Sequence, residues 1–455
     1  MILTVPVPLL LLYFFVFLSS SPSLGGTHMA SAAHSRRMLS DDGSKRYAVV
    51  FDAGSTGSRV HVFCFDGSLN LLPVGDDIEL FKSIKPGLSS YASNPEAGAN
   101  SLKSLLEAAE SVVPTALRSK APIKLGATAG LRLLGSNTSE AILDAVRDLL
   151  SKSSFKYKAD WVTILSGSDE GSYLWVTLNF LLGNLKSKYP NTVGVVDLGG
   201  GSVQMAYAIS EKAAKKSPKT KDGNSYVKEL SLQGTKYYLY VYSYLNYGLM
   251  AARAEILKAI GGLGNPCILH GYKGLYTYSG TVYNVSASHS GSSFTKCWRG
   301  ALKALKIDES CKYKKCTFGG VWNGGGGAGQ KNLLVASYFY DRAAQVGLID
   351  SEQPSAKVKP EAYMKAAKHV CKLSLKAANQ TYTSVAESDL PYLCMDLVYQ
   401  YTLLKDGFDL DLDQHITLVS RLKYKNHMVE AAWPLGSAID AVSSMSASSS
   451  SLSSL

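Results

Sequence analysis

Two stretches of this chain are apolar without interruption and each ends on an aspartate. Tyr47-Ala48-Val49-Val50-Phe51 runs into Asp52, and Val193-Gly194-Val195-Val196 runs into Asp197, 145 residues further on. After each aspartate comes a glycine-bearing turn, Gly54-Ser55-Thr56-Gly57-Ser58 in one case and Gly199-Gly200-Gly201-Ser202 in the other, followed by alternating residues. A continuous apolar run suits a strand buried on both faces, and alternation beyond a tight turn suits its hairpin partner. The repeat therefore predicts two similar α/β halves facing one another. Residues 101–113, 139–151 and 173–185 carry helical periodicity, between short strands at 123–127 and 162–165.

The pattern changes from about residue 266 to 329, where tyrosine, serine and cysteine gather around Gly324-Gly325-Gly326-Gly327; this reads as an irregular, disulfide-braced insertion in the second half. Near the end, 428–440 reads as a strand turning into a helix that returns to the first half. The expected division is a first domain of 46–166 with 429–443, a second of 167–428, and a disordered Ser-rich tail at 444–455. At the start, the apolar run 2–18, broken by Pro6 and Pro8 and followed by serines, reads as a signal peptide within 1–26, with an uncleaved anchor as the alternative. A flexible segment, 27–45, follows.

Composition sharpens the compartment. Six of seven cysteines lie in the C-terminal half, which suits disulfides in an oxidising compartment better than a metal cluster. The short spacing of Cys311 and Cys316 pairs them; Cys64, in an alternating apolar segment, reads as a buried small hydrophobe. Sequons at Asn137, Asn284 and Asn379 agree with passage through the secretory route, to the cell exterior or the Golgi lumen. The net charge of +11 is concentrated in lysine-rich stretches with no nucleic-acid module, so solvated loops are expected and no nucleic-acid partner.

The paired Asp-turn units are the chemistry-bearing feature. Glycine turns present backbone N–H groups to anionic oxygens, and carboxylates at strand ends can hold a hydrated cation between them. Either turn alone is as well explained by a plain Asp-Gly hairpin; two together, each followed by hydroxyl residues, favour a phosphate site. Gly126-Ala127-Thr128-Ala129-Gly130-Leu131-Arg132 adds a strand leading into a helix start. Ser166-Gly167-Ser168-Asp169-Glu170 opens another helix with acids that, on residue type alone, serve the helix dipole.

The ordered set 51–59, 125–132, 164–173, 196–204 and 432–439, spread over about 390 residues, resembles the apyrase, or ectonucleoside triphosphate diphosphohydrolase, family, most closely its plant members. The resemblance implies an α/β fold of two ribonuclease H-like, actin/sugar-kinase type domains with the active site in the cleft between them. It implies hydrolysis of terminal phosphates of nucleoside tri- and diphosphates with a divalent metal, Mg2+ or Ca2+. In that frame Asp52 and Asp197 hold the metal through water, and Trp433 supports it. Ser55, Thr56, Gly57, Ser58, Gly199, Gly200 and Gly201 bind phosphate, with Thr128 and Arg132 as further contacts. Glu170 is the general base, Ser202 and Gln204 position the attacking water, and Tyr340 is the candidate for stacking on the base. The resemblance also implies the bridges Cys371–Cys394 and Cys267–Cys297. It leaves a carbohydrate-binding, receptor-like role on the same fold as the alternative, with an oligosaccharide as ligand. A monomer is expected, on a membrane only if the N-terminal segment stays uncleaved.

Overall fold

The computed structural model describes residues 45–452. The expected signal peptide or anchor, and the flexible segment up to residue 44, lie outside the described residues.

Strand β1 (Arg46–Ala53) is buried over most of its length on both faces, as its uninterrupted apolar run requires. It turns through the first glycine loop into antiparallel β2 (Ser58–Phe65), which pairs in turn with β3 (Leu71–Leu72) and β4 (Glu79–Ile84). On the other side of β1 lie parallel β5 (Ile123–Ala127) and β6 (Val162–Ile164). The second half repeats the plan. Strands β7 (Gly194–Leu198) and β8 (Ser202–Ile209) form an antiparallel pair around the second glycine loop. They are extended through β10 (Thr235–Leu245) to β9 (Val227–Leu232) on one side. On the other lie parallel β13 (Leu333–Ser337) and β15 (Ile416–Val419), with β14 (Ser355–Val358) at the edge. The shared order, hairpin first and parallel crossover strands after, is the expected pair of ribonuclease H-like halves.

Helices cover these sheets close to where periodicity places them, with informative shifts. The expected helix at 101–113 is α2 (Lys103–Val112), with a further helix, α1 (Pro95–Ser101), just before it. The one at 139–151 is α3 (Ser136–Ser151). The one expected at 173–185 is α4 (Gly167–Leu181), shifted towards the N-terminus because the Ser166 side chain accepts from the Asp169 N–H and caps a polar first turn that apolar periodicity does not register. The final helix, α5 (Trp433–Leu452), follows the hairpin of β16 (Arg421–Tyr424) and β17 (His427–Glu430), a strand turning into a helix as read from the sequence. It also corrects the sequence reading: 444–452 is helical rather than a disordered tail, with the Ser443 and Ser444 hydroxyls bonded to the Ile439 and Asp440 carbonyls. No glycine or proline in that run stops the helix.

One apolar cluster joins the two halves. Ala48 and Val50 from β1, Val195 from β7 and Ala206 from β8 pack with Leu174 and Trp175 of α4 and Leu435 and Ile439 of α5. Helices α4 and α5 thus lie against each other and hold the aspartate-bearing strand ends together. The 266–329 segment is more ordered than expected: β11 (Lys273–Tyr278) pairs with β12 (Thr281–Ser286), and a helix spans Phe294–Leu305. Its Tyr276 and Val285 join the large core of the second half, which is why it is structured. The bridges are Cys267–Cys297, Cys311–Cys316 and Cys371–Cys394, and Cys64 is buried outside them. Among the described residues no helix is long and apolar enough to cross a membrane.

Candidate active site

Asp52 and Asp197 occupy the same position in the two halves, and register shows how far the correspondence goes. Asp52 stands opposite Arg59 across β1–β2, and Asp197 opposite Gln204 across β7–β8. Residues directly opposite one another share a face of the sheet. Both carboxylates and Arg59 reach the wall of a cleft of about 460 Å³, while the buried Gln204 lies behind it.

That cleft is lined by Asp52, Ser55, Thr56, Thr128, Glu170, Asp197, Gly199, Gly200, Gly201, Ser202 and Trp433, among others. Its two loops touch. A Cβ on Gly200 would lie 2.5 Å from Ser55 Oγ, so only glycine lets the loops approach this closely. Trp433 is seated the same way, because a Cβ on Gly126 would lie 2.6 Å from the indole Cη2. Thr128 donates its N–H to the Ala53 carbonyl, anchoring the loop after β5 beside Asp52.

Glu170, in the first turn of α4, is buried, and its Oε2 is held from two sides. Arg132 forms an ion pair with it, and Gln204 Nε2 lies 3.2 Å away. Gln204 Nε2 is also 2.7 Å from Ser202 Oγ and 2.8 Å from Ser243 Oγ, sharing its N–H bonds among the three. Burial pushes the Glu170 carboxyl up to about 7 against the opposing charge of Arg132, with Asp197 and Asp52 pushing the same way as burial. Burial likewise raises the Asp197 carboxyl, while a 2.6 Å hydrogen bond donated by Ser337 Oγ pulls it down. Arg59 Nη1 lies 3.2 Å from Asp52 Oδ2, and the buried Asp52 Oδ1 has no hydrogen-bond partner in the protein. Two clustered carboxylates with an orphaned oxygen fit a hydrated divalent cation better than an empty wall, since an unpaired buried acceptor is costly.

Four of the expected nucleotide contacts do not line the cleft. Gly57 packs against the end of β4, where a Cβ would meet the Ile84 carbonyl at 2.7 Å, and the Ser58 side chain is buried; neither lines the cleft. Arg132 does not line it either, because its guanidinium is engaged by Glu170 and Ser243. Tyr340 sits in the core, its hydroxyl donating to the Ser351 and Gln353 carbonyls, while Tyr338, two residues earlier on the same helix, faces the cleft. Sequence reasoning missed Arg59, Ser243 and Ser337. Arg59 stood seven residues after Asp52, as Gln204 does after Asp197, and that spacing was the available signal. Ser337 ends a third buried strand and takes a left-handed φ of 61°, a strained backbone of the kind that collects at working sites.

Two ribonuclease H-like halves, facing glycine loops, paired carboxylates and a third, buried carboxyl fit a phosphohydrolase that works on an anionic substrate in a cleft. The chain belongs to the GDA1/CD39 (nucleoside phosphatase) family, whose profile matches residues 38–454, and it hydrolyses nucleotide phosphates. It is 62% identical over 409 residues to probable apyrase 1 of Oryza sativa subsp. japonica, covering 89% of this chain and 83% of that one. It is 52% identical over 430 residues to apyrase of Solanum tuberosum (94% and 95%) and 50% identical over 438 residues to nucleoside-triphosphatase of Pisum sativum (96% of each). The structure of a nucleoside triphosphate hydrolase from Neospora caninum matches with a TM-score of 0.59 at 14% identity, covering 90% of this chain and 95% of that one, a likeness of fold.

Proposed function

We propose that the chain is an apyrase that releases terminal phosphate from nucleoside tri- and diphosphates and stops at the monophosphate, with Glu170 as general base. The observation that carries this reading is the placement of Glu170: buried, beside Ser202 and Gln204, and facing the cleft between the two glycine loops. Phosphoryl transfer to water needs in-line positioning and charge neutralisation more than covalent help. Backbone N–H groups of the two loops, with the Ser55 and Thr56 hydroxyls, cradle the phosphates. Ser202 and Gln204 orient the water, and Glu170, its Oε2 already held, accepts the proton at Oε1. Asp52 and Asp197 would hold a divalent cation, Mg2+ or Ca2+, through its waters, and the cation would neutralise phosphate charge. Trp433 closes that side against bulk water.

We assign 46–166 with 429–443 to one domain and 167–428 to the other, so that substrate bridges both. The protein acts as a monomer in the secretory route, at the cell exterior or in the Golgi lumen; its three disulfides support that compartment. Phosphate release from ATP, ADP, GDP, UDP and AMP, with Mg2+ or Ca2+ and then EDTA, tests the reading. Release from AMP, or indifference to EDTA, would sink it.

A further inference from the structure

A second polar cluster borders the cleft, reaching it through Glu430, and no part of the proposed hydrolysis uses it. His61 on β2 projects between Glu79, at the start of β4, and Glu430, at the end of β17. The His61 side chain is 1% exposed, that of Glu79 8% and that of Glu430 32%. One ligating atom from each lies within 4.8 Å of the other two. Phe63 and Phe81 pack against the imidazole, with ring centroids 6.0 and 5.2 Å away.

The cluster has a gap in it. His61 Nε2, Glu79 Oε2 and Glu430 Oε2 are all buried, and none has a hydrogen-bond partner in the protein. An imidazolium bridging the two carboxylates would draw their oxygens to about 2.8 Å. Instead Nδ1 stands 4.0 Å from Glu79 Oε2, and Nε2 stands 3.7 Å from Glu430 Oε2. Three buried donor or acceptor atoms left without partners in one cluster are costly unless something sits among them. Tetrahedral zinc, with ligands about 2.0–2.2 Å away, sets neighbouring donors about 3.4 Å apart, so closure of roughly 1 Å in the side chains would complete a site.

We propose that His61, Glu79 and Glu430 form a divalent-cation site, separate from the hydrated cation of the cleft. One imidazole nitrogen with two carboxylates suits Zn2+, with water as fourth ligand; Mg2+ and Ca2+ prefer oxygen donors alone. The site joins two elements far apart in sequence. Glu79 Oε1 already accepts the Glu430 N–H at 3.1 Å, and Glu430 lines the cleft three residues before Trp433. A cation here would pin the returning segment that seats Trp433.

The test uses the full chain, stripped with chelator and titrated with Zn2+ alone, then with Co2+ as a spectroscopic stand-in. Wild type should take up one equivalent tightly, raise its Tm, and give the visible absorption of four-coordinate Co2+ with nitrogen and oxygen ligands. H61Q should bind at least tenfold more weakly, whereas D197N, altered in the cleft, should keep the equivalent. If H61Q does not fold, E79Q carries the same expectation. A wild-type chain with no micromolar Zn2+ uptake, or uptake unchanged in H61Q or E79Q, would overturn the site. Neither result bears on the hydrolysis assay, which is run with Mg2+ or Ca2+.

Discussion

At the scale of single residues, the proposed base Glu170 is where catalysis and binding can be told apart. Glu170→Gln keeps the shape of the side chain and its place beside Arg132 and Gln204 but removes the base. Turnover should fall on the order of a hundredfold or more, while binding of a non-hydrolysable ATP analogue changes little, since both glycine loops are untouched. Were Glu170 there only to complement the helix dipole, the same change would cost a few tenths of a kcal/mol of stability and leave turnover nearly intact. The same residue sets a pH dependence. Burial holds its carboxyl at about 7, so the base is protonated and idle below that pH and ionised above it. The kcat/KM for nucleotide should therefore rise with pH through about 7 and level off beyond, and a profile flat from pH 6 to 8 would remove Glu170 from the proton transfer.

At the scale of elements, the sequence showed what is local and hid what is assembled. The two strand–Asp–turn units were legible because a buried central strand and its glycine turn write their requirements into a dozen consecutive residues, and their facing arrangement followed from the repeat. The partners that fix Glu170 and Asp197 were not legible as such. Ser243 reaches Gln204 only through β8–β10 register, and Ser337 reaches Asp197 only because β13 lies beside β7. The Tyr340 assignment failed on helix phase: residues 338 and 340 are about 200° apart around the axis, and the motif alone does not say which of them faces the cleft. The cluster of His61, Glu79 and Glu430 draws on three strands, one of them some 350 residues from the others, so no spacing announces it. Packing between elements gives its own prediction. Gly126→Ala places a Cβ against the Trp433 indole, which is 4% exposed and has little room to retreat. Overpacking of this kind should cost about 1–3 kcal/mol in urea unfolding and shift tryptophan emission as the ring is displaced. Unchanged stability and emission would mean that Gly126 does not seat the ring.

At the scale of the whole molecule, the proposed reaction needs two halves presenting one site. Asp52 and Asp197 come from different sheets, held in place by the shared core of β1, β7, α4 and α5. If both carboxylates serve a single hydrated cation, either loss disables the same step, and the second loss has little left to remove. Asp52→Ala and Asp197→Ala should each bring metal-dependent turnover close to background with the fold intact by circular dichroism. The double variant should then be scarcely slower than either single one. Two independent sites would instead multiply the rate losses, as distant and uncoupled changes do. A double-mutant cycle on turnover at saturating metal distinguishes the two cases. Full activity in either single variant would mean that the facing turns do not share a cation, and that the duplication serves the fold without building the site.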